Sequence, residues 1–535
     1  MSIVISNRQG TARHLGLAAC VALFASTAWA KIDLVGKWGQ FEKEFKSSVN
    51  YQNPIEQCAL KVTFVSPSHE TNVVDGFWDG GKTWRVRFSP DQPGRWTYRT
   101  ACSDPANRRL ENQSGEFLCT SPIGQSRFAQ HGPIYITRDG HRFQHEDGTP
   151  FFWMADVAWN APRLSTTRDW ITYTQTRGGQ HFSAVQWAAA PGTDVKGRSA
   201  FSGDAHIAID PEYFRALDEK IDLMNRAGLL SVIAPLWGSA DAVEDLPEDQ
   251  AELLIRYMKA RWGAYDVAWL LTVNENHVGR WMRIGQNVFG PGRHAPVIIF
   301  QGELASGFDE FRAENWVDAF GFGLGQNMNN DSLKWLVSGP LGHEWLNARA
   351  RPLINVLPPM ENGAEAQGQE RITANDVRRI AWWSVLLTPP AGVSYGAQDV
   401  ATWNTTIQSK LPTWQLSLFL PGAKQMSHLA ELFASADHAH IHPVPRMVMN
   451  QPGRISPRRY TALCEDESKD FAVAYVPVDR TVEVNLEALP SAPVIQWLNP
   501  RTGKESAAVA VVGTRSCQFP TPDSGDWVLV MKSGK

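Results

Sequence analysis

The sequence has almost no excess of charge of either sign and, after its first 30 residues, no long apolar run. Its 51 Lys and Arg residues against 55 Asp and Glu residues give a formal net charge of −4, which does not favour binding to nucleic acid or to an anionic membrane. No segment reaches the roughly 20 apolar residues that a membrane-spanning helix needs. We therefore expect no nucleic-acid partner and no membrane partner. The composition is that of a globular protein of two or three domains, and it does not predict an oligomeric state.

Cysteine is also scarce, with six residues in a chain of 535. Cys20 lies near the N-terminus, and the others are Cys58, Cys102, Cys119, Cys464 and Cys517. Their spacing matches no zinc site, and no glycine-rich phosphate loop follows a predicted strand, so the sequence predicts neither a metal nor a cofactor. Cys102 and Cys119 flank a turn-rich segment, while Cys464 and Cys517 share the last β-rich region. We expect these two pairs as disulfides and Cys58 as a free thiol.

The first 30 residues have the pattern of a secretory signal peptide. Arg8, Arg13 and His14 precede an apolar run at 15–24, and the tripeptide AWA at 28–30 places small residues at the recognition positions. Cleavage is predicted after Ala30. We therefore expect an exported protein, in the periplasm or outside the cell, where an oxidising environment permits disulfides.

In the remaining chain, the pattern of apolar and polar residues changes at two places. Residues 31–133 and 447–535 consist of short alternating runs separated by Gly, Pro, Asp and Asn, which is the pattern of β-sandwich domains. Between them, residues 134–446 alternate strand-like and helix-like segments, and this predicts a (β/α)8 TIM barrel. A doubly wound open sheet is the competing architecture. The barrel strands are expected at 151–156, 182–187, 230–236, 267–275, 297–300, 319–322, 353–356 and 392–395.

The fourth predicted strand, VAWLLTVNE at 267–275, is unusual because its only charge lies at its last residue. A strand buried on both faces is apolar throughout, and barrel enzymes build their active sites at the carboxyl ends of the strands. Asn274 and Glu275 are therefore candidate site residues. The alternative is that they merely begin a solvent-exposed loop.

Further candidates fall near the other predicted strand ends. Trp159, Trp187 and Trp237 follow strands one, two and three, where an indole ring can stack on a sugar face; packing in the core is the alternative. The polar candidates for substrate binding are Asp156, Gln186, Glu303, Tyr395 and Gln398. For Asp156, a buried structural role beneath the first loop is equally compatible with the sequence.

Three segments of the barrel region resemble a known family. The segment FQHEDGTPFFWMADVAW at 143–159 is similar to the first barrel strand of apiosidase-like glycoside hydrolases. The segments GVSYGAQ at 392–398 and PGAKQM at 421–426 resemble that family's eighth strand and the helix after it. The resemblance implies a glycoside hydrolase that acts on a plant or microbial polysaccharide or oligosaccharide.

The flanking regions resemble domains that accompany such barrels. The motifs VDGFWDG at 74–80 and PGRWTY at 93–98 look like the domain that often precedes them. The motifs WLNPRTG at 497–503 and GDWVLV at 525–530 are similar to the collagen-binding-like β domain often fused behind them. The resemblance thus covers nearly all of the chain after the signal peptide.

Two departures from the family pattern concern acidic residues. The family's fourth strand ends in Gly-Gly-Asp, whereas this chain ends in TVNE at 272–275. The family's seventh strand usually ends in Glu-Pro, with a second Glu a few residues later. Here the first acid is replaced by Leu357, and Glu361 remains.

Hydrolysis of a glycosidic bond needs two carboxyl groups, one to protonate the leaving oxygen and one to attack the anomeric carbon or activate water. Related barrel hydrolases place them after strands four and seven, with Asn-Glu as the acid/base signature at strand four. The two departures prevent a direct transfer of the family's catalytic residues, so the placement in related barrel hydrolases gives Glu275 as the expected acid/base and Glu361 as the second carboxylate, reaching back from a loop. Glu303 is the spare candidate for either role, and an exposed loop position is the alternative for Glu361.

Two functions remain open from the sequence. Asn274 and Glu275 favour an exported glycoside hydrolase with a carbohydrate substrate. Leu357 favours a non-catalytic carbohydrate-binding protein on a degenerate hydrolase barrel. The sequence does not identify the sugar, the linkage or the stereochemical course.

Overall fold

We describe a computed structural model of the protein. It covers residues 32–238, 246–290, 292–305, 308–344, 346–347, 349–366, 370–388, 391–406, 412–434, 441–478, 480–488 and 492–534. The side chains of residues 275, 343 and 488 are outside this description. The predicted signal peptide at 1–30 also lies outside the described residues.

The centre of the molecule is a closed barrel of eight parallel strands. Neighbouring strands pair in chain order, and the first pairs with the eighth, Asp156 opposite Tyr395, which closes the ring. A two-residue strand, Met360–Glu361, extends the sheet beside the eighth strand. The eight strands are Trp153–Val157, Ala184–Ala188, Leu230–Ala234, Val267–Thr272, Val297–Phe300, Ala319–Gly323, Leu353–Leu357 and Gly392–Ala397. The predicted TIM barrel is confirmed.

Helices surround the barrel, and several begin at capping residues of the usual types. Thr166 and Asp169 form a reciprocal capping box, and the Asp210 side chain accepts a hydrogen bond from the Glu212 amide, with Pro211 at the first helical position. The longer helices are Thr167–Gly179, Pro211–Arg226, Glu248–Trp262, Val278–Phe289, Asn330–Ser338, Ala374–Leu386 and Pro421–Phe433. Short ones are Pro54–Gln57, Arg127–His131, Ala161–Leu164, Asp309–Arg312, Leu341–Glu344, Gln398–Ala401 and Trp414–Ser417.

Four predicted strands, at 151–156, 182–187, 230–236 and 267–275, are shorter in the structure, and two of them show why. The segment 151–156 is interrupted at Phe152, because Pro150–Phe151 pairs within a separate three-stranded sheet with Ile134–Ile136 and Phe143–His145. The segment 267–275 leaves the sheet after Thr272, and a 3-10 turn, Glu275–His277, follows it. Both differences arise at strand ends, where side-chain pattern alone does not fix the last hydrogen bond.

The three-stranded sheet closes the amino end of the barrel. The Phe143 and Phe151 rings lie against Trp153, with centroids 5.5 and 6.5 Å from it. All three side chains are buried in the same cluster as the barrel interior. The opposite end, formed by the carboxyl ends of the strands, is therefore the end that can admit a ligand.

Alternate residues of each strand face opposite sides of the barrel wall. In the first strand, Trp153, Ala155 and Val157 belong to the interior cluster. Met154, between them, packs with the surrounding helices. Because both sides are apolar, the sequence of a barrel strand shows little polar alternation.

Two β-sheet domains flank the barrel, as predicted. The N-terminal one packs a five-stranded sheet on a three-stranded sheet, with Phe64, Trp96 and Phe117 in its core. Its strands are Asp33–Gly36, Phe41–Lys46, Leu60–Val65, Thr71–Asp75, Phe77–Trp78, Thr83–Phe88, Gly94–Cys102 and Ser114–Thr120. A small hairpin, Phe201–Ser202 with Ala208–Ile209, projects from the barrel region.

The C-terminal domain has a six-stranded and a three-stranded sheet. Its strands are Ile441–Pro443, Ala462–Asp466, Phe471–Val476, Thr481–Asn485, Pro493–Leu498, Glu505–Ala507, Val511–Val512, Ser516–Pro520 and Trp527–Ser533. It contacts the helix Ala374–Leu386 through Arg378, which donates to Asp526 at 2.6 Å. Trp382 of that helix stacks on Tyr475, with centroids 5.9 Å apart.

The predicted disulfide pairs are wrong. The register places Cys119 opposite Gly94, and Cys102 lies eight residues farther along that strand, about 26 Å away at 3.3 Å per residue. Instead, Cys102 is the neighbour of Cys58, with 3.4 Å between the two Sγ atoms. Cys464 and Cys517 belong to different clusters. All five thiols are free in this structure.

A buried ionic network joins the N-terminal domain to the barrel. Asp218, on the helix Pro211–Arg226, accepts hydrogen bonds from Arg87 and Arg261 at 2.7 Å, and Arg261 also donates to Asp79 at 2.9 Å. Burial would raise the pKa of Asp218, but the two guanidinium groups outweigh it and hold this pKa below its usual value.

We expect Asp218→Ala to lower the free energy of unfolding by about 3–5 kcal/mol, because two buried guanidinium groups would lose their partner. The folded pKa is depressed, so this contribution is present above about pH 4 and lost as the pH falls below it. Thermal unfolding at pH 7 and pH 3 measures both effects. The matched control is Asp222→Ala, which breaks an exposed pair with Arg226 on the same helix. Equal midpoints for the two variants at pH 7 would contradict the prediction.

Candidate active site

A row of aromatic rings lies at the carboxyl end of the barrel. Trp159 and Trp237 follow the first and third strands, and their rings stack with centroids 3.8 Å apart and planes 19° from parallel. Trp237 is stacked in turn on Phe300, at 5.8 Å, at the end of the fifth strand. Trp237 is only half buried. The stacked faces cover one another, and Trp159 and Phe300 are only 9% and 3% exposed, so Trp237 is the ring of this row that a sugar could contact.

Trp187 does not belong to this row. It is fully buried on the helix side of the wall, where its Nε1 donates to Ser231 Oγ at 2.8 Å. Its ring meets Trp262 edge to face, at 5.8 Å. The prediction that Trp187 stacks on substrate is therefore wrong, because strand two turns this residue away from the barrel mouth.

Asp156 also faces the helices and not the mouth. Its carboxylate accepts hydrogen bonds from Arg177 Nε and from the Tyr173 hydroxyl, both at 2.7 Å. Burial raises the pKa of Asp156, although Arg177 and Tyr173 act against the shift. The structure therefore supports a buried structural role for Asp156 and not the predicted contact with substrate.

Glu361 and Tyr395 form a second buried pair on the same side of the wall. The Tyr395 hydroxyl donates to Glu361 Oε2 at 2.6 Å, and the Gly422 amide donates to Oε1 at 3.2 Å. Gly422 lies in the first turn of the helix Pro421–Phe433, whose amide groups favour an acceptor. Burial raises the pKa of Glu361, and both hydrogen bonds oppose this.

This environment corrects the sequence-based prediction for Glu361. The residue is neither in a solvent-exposed loop nor aimed at the barrel mouth, since only 2% of it is exposed. Met360 points into the barrel, and strand alternation turns Glu361 outward. Tyr395 likewise lies among the helices and is out of reach of a substrate in the mouth.

Gln186 points into the barrel but below its mouth. Its Nε2 donates to Val356 O at 2.7 Å, and its Oε1 accepts from the Ser394 hydroxyl at 3.3 Å. No part of Gln186 is exposed. It ties strand two to strands seven and eight, so its role is structural and not that of the predicted substrate ligand.

The end of the fourth strand carries Asn274 and Glu275, as predicted. Asn274 Oδ1 accepts from the Asn276 amide at 2.9 Å and so caps the 3-10 turn. The backbone of Glu275 begins this turn, while its side chain lies outside the described part of the chain. The turn fixes where the peptide leaves the barrel wall.

Glu303 lies three residues after the fifth strand, and its carboxylate rests against the loop that follows the sixth strand. Asn327 Nδ2 donates to its Oε2 at 2.6 Å. A β-carbon at Gly325 would overlap the Glu303 carboxylate, which could move away, and it is the φ of +55° that favours glycine at this position. Partial burial raises the pKa of Glu303, while the hydrogen bond from Asn327 acts to lower it.

The sequence analysis missed several polar groups of the mouth. Thr272 Oγ1 and Gln301 Oε1 are buried and have no hydrogen-bond partner among the described residues, so a ligand hydroxyl could satisfy them. Gln326 Oε1 accepts from the Met360 amide at 3.3 Å. The predicted Gln398 is half buried at the start of a short helix after strand eight. Thr272 ends its strand, Gln301 follows its strand directly and Gln326 lies three residues after its strand, so nearness to a strand end is the one signal that could have identified them.

The sequence matches three family models. Residues 137–440 match the apiosidase-like catalytic domain. This chain belongs to the apiosidase-like family. Residues 34–103 match a domain of unknown function, DUF5060, and residues 443–532 match a family described as the collagen-binding domain of a collagenase. The apiosidase-like barrel is a glycoside hydrolase domain, and the resemblance inferred from the sequence is confirmed. No curated protein matches the sequence.

Solved glycoside hydrolases share the architecture of this apiosidase-like protein. One from Bacteroides vulgatus aligns over 94% of this chain and 99% of its own, with a TM-score of 0.70 and 19% identity. A glycoside hydrolase family 5 protein from the same species covers 77% and 95%, with a TM-score of 0.68 and 17% identity. At such identities the likeness establishes the fold alone.

Two further properties of the apiosidase-like chain concern the described residues. None of their helices is both long and apolar enough to cross a membrane. No group of three or more His, Cys, Asp or Glu side chains among them is arranged to hold a metal ion.

Proposed function

We propose that the protein is an exported glycoside hydrolase that cleaves a polysaccharide or oligosaccharide with Glu275 as general acid/base and Glu303 as second carboxylate. The family supports the reaction class, and the N-terminal residue pattern supports export. The assignment of Glu303, in place of Glu361, rests on the geometry of strands four and five.

The register of these two strands is the observation that carries the proposal. Thr272 lies opposite Phe300, and the pairing continues with a hydrogen bond from the Val273 amide to Phe300 O at 2.8 Å. Glu275 and Glu303 each follow three residues after this matched pair. The two acids thus begin from equivalent positions after neighbouring strands, and the Glu303 carboxylate rests against the loop after strand six.

This arrangement favours a retaining mechanism. Neighbouring strands are about 4.8 Å apart, which is close to the separation of about 5–5.5 Å between the carboxyl groups of retaining enzymes. Glu303 would attack the anomeric carbon while Glu275 protonates the leaving oxygen. Glu275 would then activate the water that hydrolyses the glycosyl-enzyme intermediate. Trp237, the partly exposed ring of the aromatic row, would contact a sugar ring beside the bond that breaks.

A non-catalytic carbohydrate-binding protein is the second candidate. Leu357 favours it, because the seventh strand lacks the family's acid, and Glu361 is engaged by Tyr395 and Gly422. This candidate requires that Glu275 and Glu303 do no chemistry. The first experiment below separates the two functions.

We expect the purified protein to release reducing ends from at least one member of a polysaccharide panel, and Glu275→Gln to lose this activity by a factor of about a hundred or more, since general acid catalysis contributes that much. The variant should still bind the same substrate. Sugar binding by the wild type without any release of reducing ends across the panel would support the second candidate. More than about a tenth of wild-type turnover in Glu275→Gln would refute its role as general acid.

The second carboxylate is tested with Glu303→Ala and Glu361→Gln. We expect Glu303→Ala to be inactive and to be rescued by azide, which can enter the space left by a nucleophile and form a glycosyl azide of inverted configuration. Glu361→Gln keeps the size of the side chain and an acceptor for Tyr395, so a folded variant should remain active. NMR of the products gives the configuration. An active Glu303→Ala beside a folded but inactive Glu361→Gln would transfer the role to Glu361.

The hydrogen bond from Asn327 provides a test of protonation. Glu303 must be ionised to attack, so kcat/KM should fall as the pH decreases through its raised pKa. Asn327→Ala removes a donor that stabilises the carboxylate, which raises the pKa further and moves the acidic limb of the pH profile to higher pH. Asn330→Ala, at an exposed position nearby, is the control and should leave the limb in place. If the acidic limb of the Asn327→Ala profile does not move, the ionisation that sets this limb is not that of Glu303.

A further inference from the structure

A groove of about 750 Å³ lies between the barrel and the C-terminal domain. The helix Asn330–Ser338 forms one side and the segment 445–460 forms the other. The lining residues that matter here are Lys334, Arg446, Met449, Arg454, Ile455 and Tyr460. The groove is distinct from the mouth of the barrel.

The charge of this groove is one-sided. The segment 445–460 has four arginines, at positions 446, 454, 458 and 459, and no Asp or Glu. Lys334 adds a cation from the barrel. Within the part of the chain that the structure describes, none of these five side chains makes a salt bridge. Excess cationic charge that the protein does not neutralise attracts an anionic ligand.

A sixth cation, Arg480, lies beside this segment. It donates to Asn450 O at 3.0 Å, while its Nη1 is buried and without a partner among the described residues. Burial and the neighbouring charge of Arg459 lower the pKa of Arg480. The proximity of like charges costs stability, which an anion bound between them would offset.

The groove also has apolar surface and a fixed shape. Met449 is 51% and Ile455 is 86% exposed, and both are large apolar side chains. The segment is anchored at Tyr460, whose carbonyl accepts from Trp383 Nε1 at 3.0 Å, and at Arg458, which donates to Met328 O at 2.5 Å. A mixture of cations and apolar side chains on a rigid wall suits a ligand with both charged groups and apolar C–H faces.

A second cavity, whose lining includes one acid, Glu365, shares the segment that forms one side of the groove. Pro457 lines the groove, and the next residue, Arg458, lines this second cavity of about 220 Å³ together with Asn327. Asn327 in turn contacts Glu303. A polymer lying in the groove would therefore lead to the residues proposed for catalysis.

We propose that this groove binds an anionic polysaccharide, a chain of sugars that carry carboxylate or sulfate groups, and holds it for the barrel. Binding in the groove is argued from the groove alone, whereas delivery of the polymer to the mouth rests on the proposed function. The cations pair with the acidic groups, and the exposed apolar side chains contact the sugar faces. A concave groove does not fit the flat surface of a membrane.

The test is affinity electrophoresis in native gels that contain dextran, carboxymethyl-dextran or dextran sulfate, which share one backbone and differ in charge. Glu275→Gln is used as the background so that hydrolysis cannot interfere. We expect retardation by at least one charged polymer and none by neutral dextran. The relative response to the two charged polymers distinguishes carboxylate from sulfate recognition.

In the same background, Arg446→Glu with Arg454→Glu should weaken the retardation about tenfold, because each substitution replaces an attractive charge by a repulsive one. The control is Arg108→Glu with Arg109→Glu, two exposed arginines of the N-terminal domain, which produce the same change in net charge. Equal retardation of the two double variants would overturn the proposal, as would equal binding of polyglutamate and the anionic dextrans.

These results are independent of the proposed function. If the groove variants lose binding but the wild-type protein hydrolyses no polysaccharide, the groove stands and the enzymatic proposal fails. If the wild-type protein is active and the groove variants bind like the control, the enzymatic proposal stands and the groove fails.

Discussion

The barrel depends on how its first and eighth strands are joined, and a buried ion pair fixes this junction. Arg177 Nε donates to Asp156 Oδ2 at 2.7 Å, and neither side chain is exposed. The guanidinium lies 5.8 Å from the ring of Tyr395, whose hydroxyl donates to Glu361. Removing one partner of a buried pair leaves an uncompensated charge, at a cost of about 3–5 kcal/mol. Asp156, Arg177, Tyr395 and Glu361 therefore hold one another in place. Their role is to stabilise the wall of the barrel.

Three residues that the sequence predicts at the mouth face the surrounding helices instead, and two of them belong to this junction. Asp156, Trp187 and Tyr395 were assigned from their nearness to strand ends, yet all three face the helices. The side chains of a strand alternate between two faces, but a strand that is apolar on both faces does not reveal which residues point inward. The register with neighbouring strands decides this, and that register is a property of the closed barrel. The sequence correctly predicts Trp159 and Trp237 near the mouth, because both residues lie beyond their strands, where the alternation of side chains between two faces no longer applies.

Much of the fold could be predicted because it is encoded locally. The eight apolar runs and the caps at Thr166 and Asp210 are short-range patterns, and all reappear in the structure. Contacts between distant segments were not predictable. The Asp218 network spans two domains, and Arg458 reaches the loop at Met328 from 130 residues away. The proximity of Cys58 to Cys102 follows from strand pairing, whereas the predicted disulfides followed only from sequence spacing.

Leu357, at the end of strand seven, holds the loop that follows strand six. The carbonyl of Leu357 accepts from the amides of Leu324 and Gly325, both at 3.1 Å. Gly325 has φ +55° and no β-carbon, so the carboxylate of Glu303 can lie directly against it. The end of strand seven therefore fixes the loop against which Glu303 rests, and Asn327 of the same loop holds the other carboxylate oxygen. Leu357, where the resemblance to the family implies an acid, thus supports through its backbone carbonyl the loop that holds Glu303.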